Sequence, residues 1–494
     1  MTAEKDGHPP SFCHAQCYCH AMTASDRIER IPIAPSAGHH LTAELVETLK
    51  LAAPMAATQL GQIAMMTTDL AFIGRLGDAA VAAAALAGTV YFVSFTVGMG
   101  LMSAVAPLAA QAFGARDPRM VRRSLRAGLW AALLISLPIM IFPLRGEQIL
   151  HALGQADEPA RLAQQYLFGL VWGVAPALWF IAIRGFMGAV NRPEPILWIT
   201  LAAIPLNALL VYLLLYGEFG LPRLGLFGAG LATATVNGAT LLAGLWFATQ
   251  RTPFRRYHIL ARLWRIDWAL MRQLVIIGAP ISMSFLLEYG LFSSAALLMG
   301  MISTTALAAH QIALQVTAIL FMIPYGISMA ATVRVGQAVG RADAAGVKRA
   351  GLVAIALGIA FAIVLTFAVI ATRFAIARLF LGEASANADA TIALAAQLLL
   401  VGATFFITDG LQTIVAGALR GVNDTRVPLI FAAVSYWGIG FCSAYMLAFH
   451  TPLGAIGVWA GLSLGTLVYA ALLILRFQLL AGRLSNQDDL TRRK

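Results

Sequence analysis

The stretch LVIIGAPISMSFLLEYGLFSSAALLMGMISTTALAAHQ, Leu274–Gln311, contains an apolar run from Ile276 to Ile302 whose one charged residue is Glu288. About 20 apolar residues cross roughly 30 Å of hydrocarbon, so the run reads as a membrane-spanning helix. A carboxylate at the centre of such a helix costs about 2.5–3.5 kcal/mol to insert, which points to function.

Outward from this run, the chain repeats itself at an offset of 226 residues, as from Pro54 to Pro280. Ala53-Pro54 falls on Ala279-Pro280, Gly74 on Gly300, Gly100 on Gly326, Gln111 on Gln337, Gly114 on Gly340 and Asp117 on Asp343. Arg122 and Arg123 fall on Lys348 and Arg349, and at slightly larger offsets Val190-Asn191 pairs with Val422-Asn423. The chain is two copies of one half.

Hydrophobic residues make up 60% of the chain and charged residues 12%, which excludes a mostly water-facing surface. Apolar runs are expected at 51–73, 79–112, 127–144, 162–183, 195–216 and 226–249, then at 273–300, 306–338, 351–371, 391–417, 428–449 and 456–475. The fold class is therefore an all-α polytopic membrane protein with twelve transmembrane helices in two six-helix lobes. An even number of spans per repeat gives both lobes one orientation, related by an axis along the membrane normal, with a cleft between them. The expected division is a disordered cytoplasmic tail at 1–48, an N-lobe at 49–249, a cytoplasmic linker at 250–272, a C-lobe at 273–476 and a second tail at 477–494.

Twenty-eight of the 34 Lys and Arg fall on one side of these spans; Arg75, Arg145, Arg161, Arg223, Arg373 and Arg378 fall on the other. The positive-inside rule places both termini in the cytoplasm. Topology thus accounts for the net charge of +11, with no need of nucleic acid. The linker, with Trp264, Ile266, Trp268 and Leu270 among its arginines, reads as an amphipathic interfacial helix. In the first tail no apolar segment follows a basic start, so a cleavable signal is not expected. Cys13, Cys17 and Cys19 resemble a metal cluster but read as part of an unstructured extension, and Cys442 stands alone in an apolar helix, so no disulfide framework is expected.

Of the 23 Asp and Glu, only Asp69, Glu288 and Asp409 lie within expected spans. Gln59, Gln62, Met66 and Asp69 share one helix face, and Gln62 holds the repeat position of Glu288. Ser284 lies one turn before Glu288; Gln412 and Thr413 lie one turn after Asp409, and Phe405 one turn before it. None of these acids has a basic partner on its own helix, so each takes up a proton or recruits a metal cation. A purely structural reading has them bridge backbone at breaks made by Pro54, Pro205 and Pro280. Their confinement to the cores of helices 1, 7 and 10 favours function. His310 reads as a core residue, and Met65, Met66, Met99, Met102, Met299 and Met301 read individually as core filling that could also form an adaptable surface.

The run Gln59–Gly77, the motif Ala308-Ala309-His310-Gln311, the stretch Arg334–Gly340, the motif Arg420-Gly421-Val422-Asn423-Asp424-Thr425 and the run Ile204-Pro205-Leu206-Asn207 together resemble the multidrug and toxic compound extrusion (MATE) family, in its NorM-like branch. The resemblance covers residues 45–475. It implies a bacterial inner-membrane antiporter, expected to be a monomer, that exports organic cations and other amphipathic compounds against protons or sodium. No further cofactor is implied, and no GxxxxGK[ST] loop supports an ATP-driven pump. By position it assigns cation coupling to Asp69, Glu288 and Asp409, with Glu288 and Asp409 holding the metal if the ion is sodium. Gln62, Asn207, Ser284, Gln311, Phe405, Gln412 and Thr413 are the substrate or network residues. Ala203 replaces a second Asn found in many relatives one turn before Asn207, so the N-lobe network is expected to be thin. The alternatives are a lipid-linked precursor flippase of related architecture and a membrane-embedded enzyme.

Overall fold

The computed structural model describes residues 40–492 except 218–219, 221, 262 and 382–387; the expectations for residues 1–39, Cys13, Cys17 and Cys19 among them, lie outside the described residues. The N-terminal half supplies α1 His40–Gly74, α2 Asp78–Gly114, α3 Pro118–Leu144, α4 Asp157–Ala189, α5 Glu194–Tyr216 and α6 Gly225–Gln250. The C-terminal half supplies α7 Trp268–Ile302, α8 Thr304–Gly340, α9 Ala344–Leu381, α10 Ala388–Gly421, α11 Arg426–Phe449 and α12 Ala455–Arg492. Short turns interrupt two of these: α2 at Ala104, and α4 at the 3-10 segment Val171–Gly173.

Among the described residues, eleven helices are long and apolar enough to cross a membrane. The exception is α1, because Gln59, Gln62, Thr67, Thr68 and Asp69 fall in its membrane-length part. A helix facing only lipid must be apolar, whereas one lining a polar cleft need not be. The helices continue through Pro54, Pro205 and Pro280, so no break at proline accounts for the acids.

Several ends differ from the sequence expectation. Helix α1 already includes residues 40–48, where Thr48 is fully buried, so the polar pattern there belongs to a helix end and not to a tail. At the other terminus α12 runs on to Arg492, through most of the expected tail. Helix α3 begins at Pro118 because Asp117 caps it, accepting from Arg119 N at 2.9 Å and Met120 N at 3.0 Å.

The linker is not an amphipathic helix. It has one 3-10 turn, Phe254–Tyr257, followed by irregular chain, since His258 takes a left-handed φ of 45° and Asp267 caps the start of α7. What fixes it is side-chain anchoring: Trp130 Nε1 on α3 donates to Leu263 O at 2.7 Å, and Arg123 Nε donates to Asp267 Oδ2 at 2.7 Å.

One apolar core lies around Leu125, Leu178 and Phe186 of the first half and takes in Leu274, Ile277 and Ile281 of α7; another, wholly in the second half, lies around Leu398, Phe405 and Trp459. A third cluster spans the seam, with Leu51, Met55 and Ala110 from the first half against Ile327, Ala331 and Val333 from the second. At the arginine-rich end the seam also carries a two-pronged ion pair, Arg334 Nε and Nη2 to the Glu44 carboxylate at 2.8 and 2.7 Å. Cross-seam hydrogen bonds among the described residues reach from that end as far as Ser282, whose hydroxyl donates to Val97 O at 2.7 Å.

Candidate functional site

In the N-lobe, Asp69 is buried at 8% exposure, and its carboxylate accepts from Asn207 Nδ2 on α5 and from Thr233 Oγ1 on α6 at 3.2 Å. Three helices thus hold one acid through two neutral donors. Ala203 is also buried and adds nothing polar, as the sequence implied. Gln62 is half-buried and makes no hydrogen bond among the described residues. The bonded glutamine of the α1 stripe is Gln59, whose Oε1 accepts from Arg184 Nη1 at 2.7 Å.

In the C-lobe, Asp409 is buried at 4% exposure and accepts from Gln412 Nε2 at 2.8 Å. Glu288 is half-buried, makes no hydrogen bond among the described residues, and lies within electrostatic reach of Asp409. Helices α7 and α10 therefore bring together the two acids that the sequence left 121 residues apart (288 to 409). Arg420, at the end of α10, lies 5.1 Å over the Phe285 ring and within reach of Glu288. Tyr436 and Tyr469 close the site with rings 5.0 Å apart, edge to face. Asp409 also borders a narrow crevice formed with Thr317 and Phe321 of α8 and Ala362 and Leu365 of α9.

Other nominated residues sit less centrally. Ser284 donates back to Pro280 O at 2.9 Å, and Thr413 lends its carbonyl to Ser328 Oγ at 2.7 Å. Phe405 is fully buried, edge-on to Phe292 and Trp459, and so serves the core. Gln311 is exposed and unbonded among the described residues. His310 is fully buried, its Nδ1 accepting from Trp459 Nε1 at 3.2 Å, in line with the core reading.

Thr233, Arg184, Arg420, Tyr436 and Tyr469 were not picked out as site residues from sequence. Both arginines fall among the charges on the basic side, yet the apolar run around Arg184 continues to Val190, which sets it apart from a loop charge. Tyr436 is placed by a π-helical stretch of α11, Ala433–Phe441, a local geometry that residue spacing does not reveal. Among the described residues no three His, Cys, Asp or Glu converge as a metal-ligand set, so a bound cation at Glu288 and Asp409 would draw its other ligands from neutral oxygens.

Two six-helix halves with acids buried in each define a two-lobed, multi-pass membrane protein. The MatE family profile matches residues 54–213 and again 280–446, once per half. The chain belongs to this family, multidrug and toxic compound extrusion, in its NorM-like branch. It is 69% identical over 446 residues to the probable multidrug resistance protein NorM of Bradyrhizobium diazoefficiens, covering 90% of this chain and 96% of that one. Against the protein of the same name in Rhodopseudomonas palustris it is 58% identical over 458 residues, covering 92% and 96%. Among solved structures, the outward-facing conformation of a multidrug resistance MATE family transporter matches with a TM-score of 0.81 at 20% identity, over 92% of this chain and 100% of that one. The eukaryotic MATE transporter AtDTX14 matches at 0.80 and 20%, over 90% and 99%.

Proposed function

We propose that the chain is a secondary active multidrug exporter of the bacterial inner membrane, antiporting organic cations and other amphipathic compounds against protons or sodium by alternating access. The observation that carries this is the grouping of acids: Glu288 and Asp409 lie within electrostatic reach of one another in the C-lobe, while Asp69 is held by Asn207 and Thr233 in the N-lobe. Two carboxylates close together in low dielectric exchange a proton or share a metal cation more readily than either does alone. A charge moved fully across 100 mV gains about 2.3 kcal/mol, enough to bias two lobes that differ by a few kcal/mol. The NorM names of the relatives support the drug-export reading.

In this proposal residues 49–249 and 273–476 are the two lobes, 250–272 joins them on the cytoplasmic face, and both termini lie in the cytoplasm. Asp69, Glu288 and Asp409 couple the cation, with Asn207 and Gln412 as their hydrogen-bond partners and Gln62 as an unbonded polar group at the repeat position of Glu288. A flippase for lipid-linked precursors needs a broad basic cleft for phosphates. Arg184, buried at 6% exposure, already serves Gln59. An enzyme would turn over a substrate without moving it. Efflux from proteoliposomes under a pH gradient or a sodium gradient, imposed separately, tests the proposal. Export driven by one of them is expected; no export under either, or turnover without transport, overturns it.

A further inference from the structure

Gln111 on α2 and Gln337 on α8 occupy the same repeat position, and each reaches across the seam into the other lobe. Gln111 Nε2 donates to Gly421 O at 2.8 Å, while its Oε1 accepts from Asn423 Nδ2 at 2.9 Å. Gln337 Nε2 donates to Ala189 O at 2.9 Å and to Asn191 Oδ1 at 2.8 Å. The acceptors match as well, because each carbonyl lies two residues before its asparagine. Asn191 and Asn423 both adopt left-handed backbone, φ 60° and 61°, a conformation that Asn tolerates better than most residues. Between the glutamines, Gly114 faces Gln337 O and Gly340 faces Gln111 O so closely that a Cβ on either would overlap the opposing backbone. Glycine at both places lets α2 and α8 cross in contact.

The bonds are neutral amide contacts in a closed seam. Each can be exchanged for water when the seam opens, so their net worth is modest and the closure reversible. Arg184 lies in the same closed region at 6% exposure, bonded through Nη1 to neutral Gln59, with Nε unbonded among the described residues. A buried cation held only by a neutral group gains from hydration, and so it favours parting of the lobes.

We propose that Gln111 and Gln337, with Asn423 and Asn191, form a two-fold lock that shuts the arginine-rich end of the cleft, and that its release, favoured by Arg184, admits substrate from that side. The proposal rests on the alternating-access reading. Its test measures accessibility and not transport, so the two can fail separately. Met55, 5% exposed in the seam against Gly188, is replaced by Cys in a full chain whose Cys13, Cys17, Cys19 and Cys442 are Ser, and its rate of reaction with a maleimide is followed.

Gln337→Glu keeps the shape but sets an acceptor against Ala189 O, losing that bond, and against Asn191 Oδ1, which must turn its amide to bond again. Gln111→Glu keeps Asn423 and loses only Gly421. Labelling should therefore rise about tenfold or more in Gln337→Glu, less in Gln111→Glu, and most in the double variant. Gln337→Met, which removes both donors without adding charge, should follow Gln337→Glu, and Arg184→Gln should slow labelling below the parent. Parental rates in both Gln337 variants, with each eluting as the parent does on size exclusion, would overturn the lock. Faster labelling in Arg184→Gln would overturn the role given to that residue.

Discussion

The two lobes share one helical plan and differ in how they hold their acids. In the N-lobe, Asp69 is tied by Asn207 and Thr233, and position 62 carries an uncharged Gln. In the C-lobe the equivalent position carries Glu288, within electrostatic reach of a second acid, with Arg420 stacked one turn away on Phe285. Phe285 is itself the repeat partner of Gln59, which Arg184 holds in the N-lobe. Each lobe thus brings one arginine to the same place on its first helix, onto an amide in one and a ring in the other. The N-lobe holds its acid by hydrogen bonds; the C-lobe leaves Glu288 unbonded among the described residues, within electrostatic reach of Asp409.

The largest effect should come from breaking the C-lobe pair. Glu288→Gln and Asp409→Asn should each abolish gradient-driven efflux, and the double variant should be no worse than either single one, as for groups acting as a unit. Partial losses that add in the double variant would show two independent sites and end the contrast between lobes. Asp69→Asn comes next. Hydrogen bonds to a charged group are worth about 1.5–3 kcal/mol, so efflux of several cations should fall roughly ten- to a hundredfold at equal expression. Wild-type efflux in that variant would make the N-lobe acid structural.

Much of this contrast could be read in the sequence, because a carboxylate in an apolar run is conspicuous and the fixed offset aligned Gln62 with Glu288. What stayed hidden is what a neighbouring helix contributes. Thr233 lies in a run of small residues on α6 and nothing in its spacing points to Asp69. The sequence places Arg420 on one side of the membrane, which says nothing about Phe285. The linker's tryptophans suggested a helix, but Asp267 and the anchoring of Leu263 by Trp130 decided the chain's path, and both depend on α3.

Arg420 offers a smaller and sharper test. Its charge is half-exposed and stacked on a ring, so its pull on Glu288 is worth of the order of 1 kcal/mol. Arg420→Gln should leave Glu288 a stronger cation ligand, read as a few-fold lower concentration of the driving ion at half-maximal rate with little change in the maximum. A fall in the maximum alone would mean that Arg420 supports packing on Phe285 and leaves the acids unaffected.

The smallest expected effect lies at the junction of the lobes, outside the membrane spans. Burial would raise the Asp267 carboxyl, but the Arg123 guanidinium and the Leu270 N–H more than offset it and hold it below the usual carboxylate range. A group depressed in the folded state contributes stability that is fully present above its unfolded value, about 3.9, and is lost as pH falls through the lower folded value. Asp267→Asn isolates this charge, since Asn caps a helix about as well as Asp and the start of α7 is retained. Arg123 is 47% exposed, so solvent screens the pair and the variant should melt only slightly below the parent at pH 7. The gap should hold down to about pH 5 and close below about pH 4, once the parent's carboxyl is protonated. A gap that persists in acid would mean that the cap, and not the ion pair, joins α3 to the start of α7.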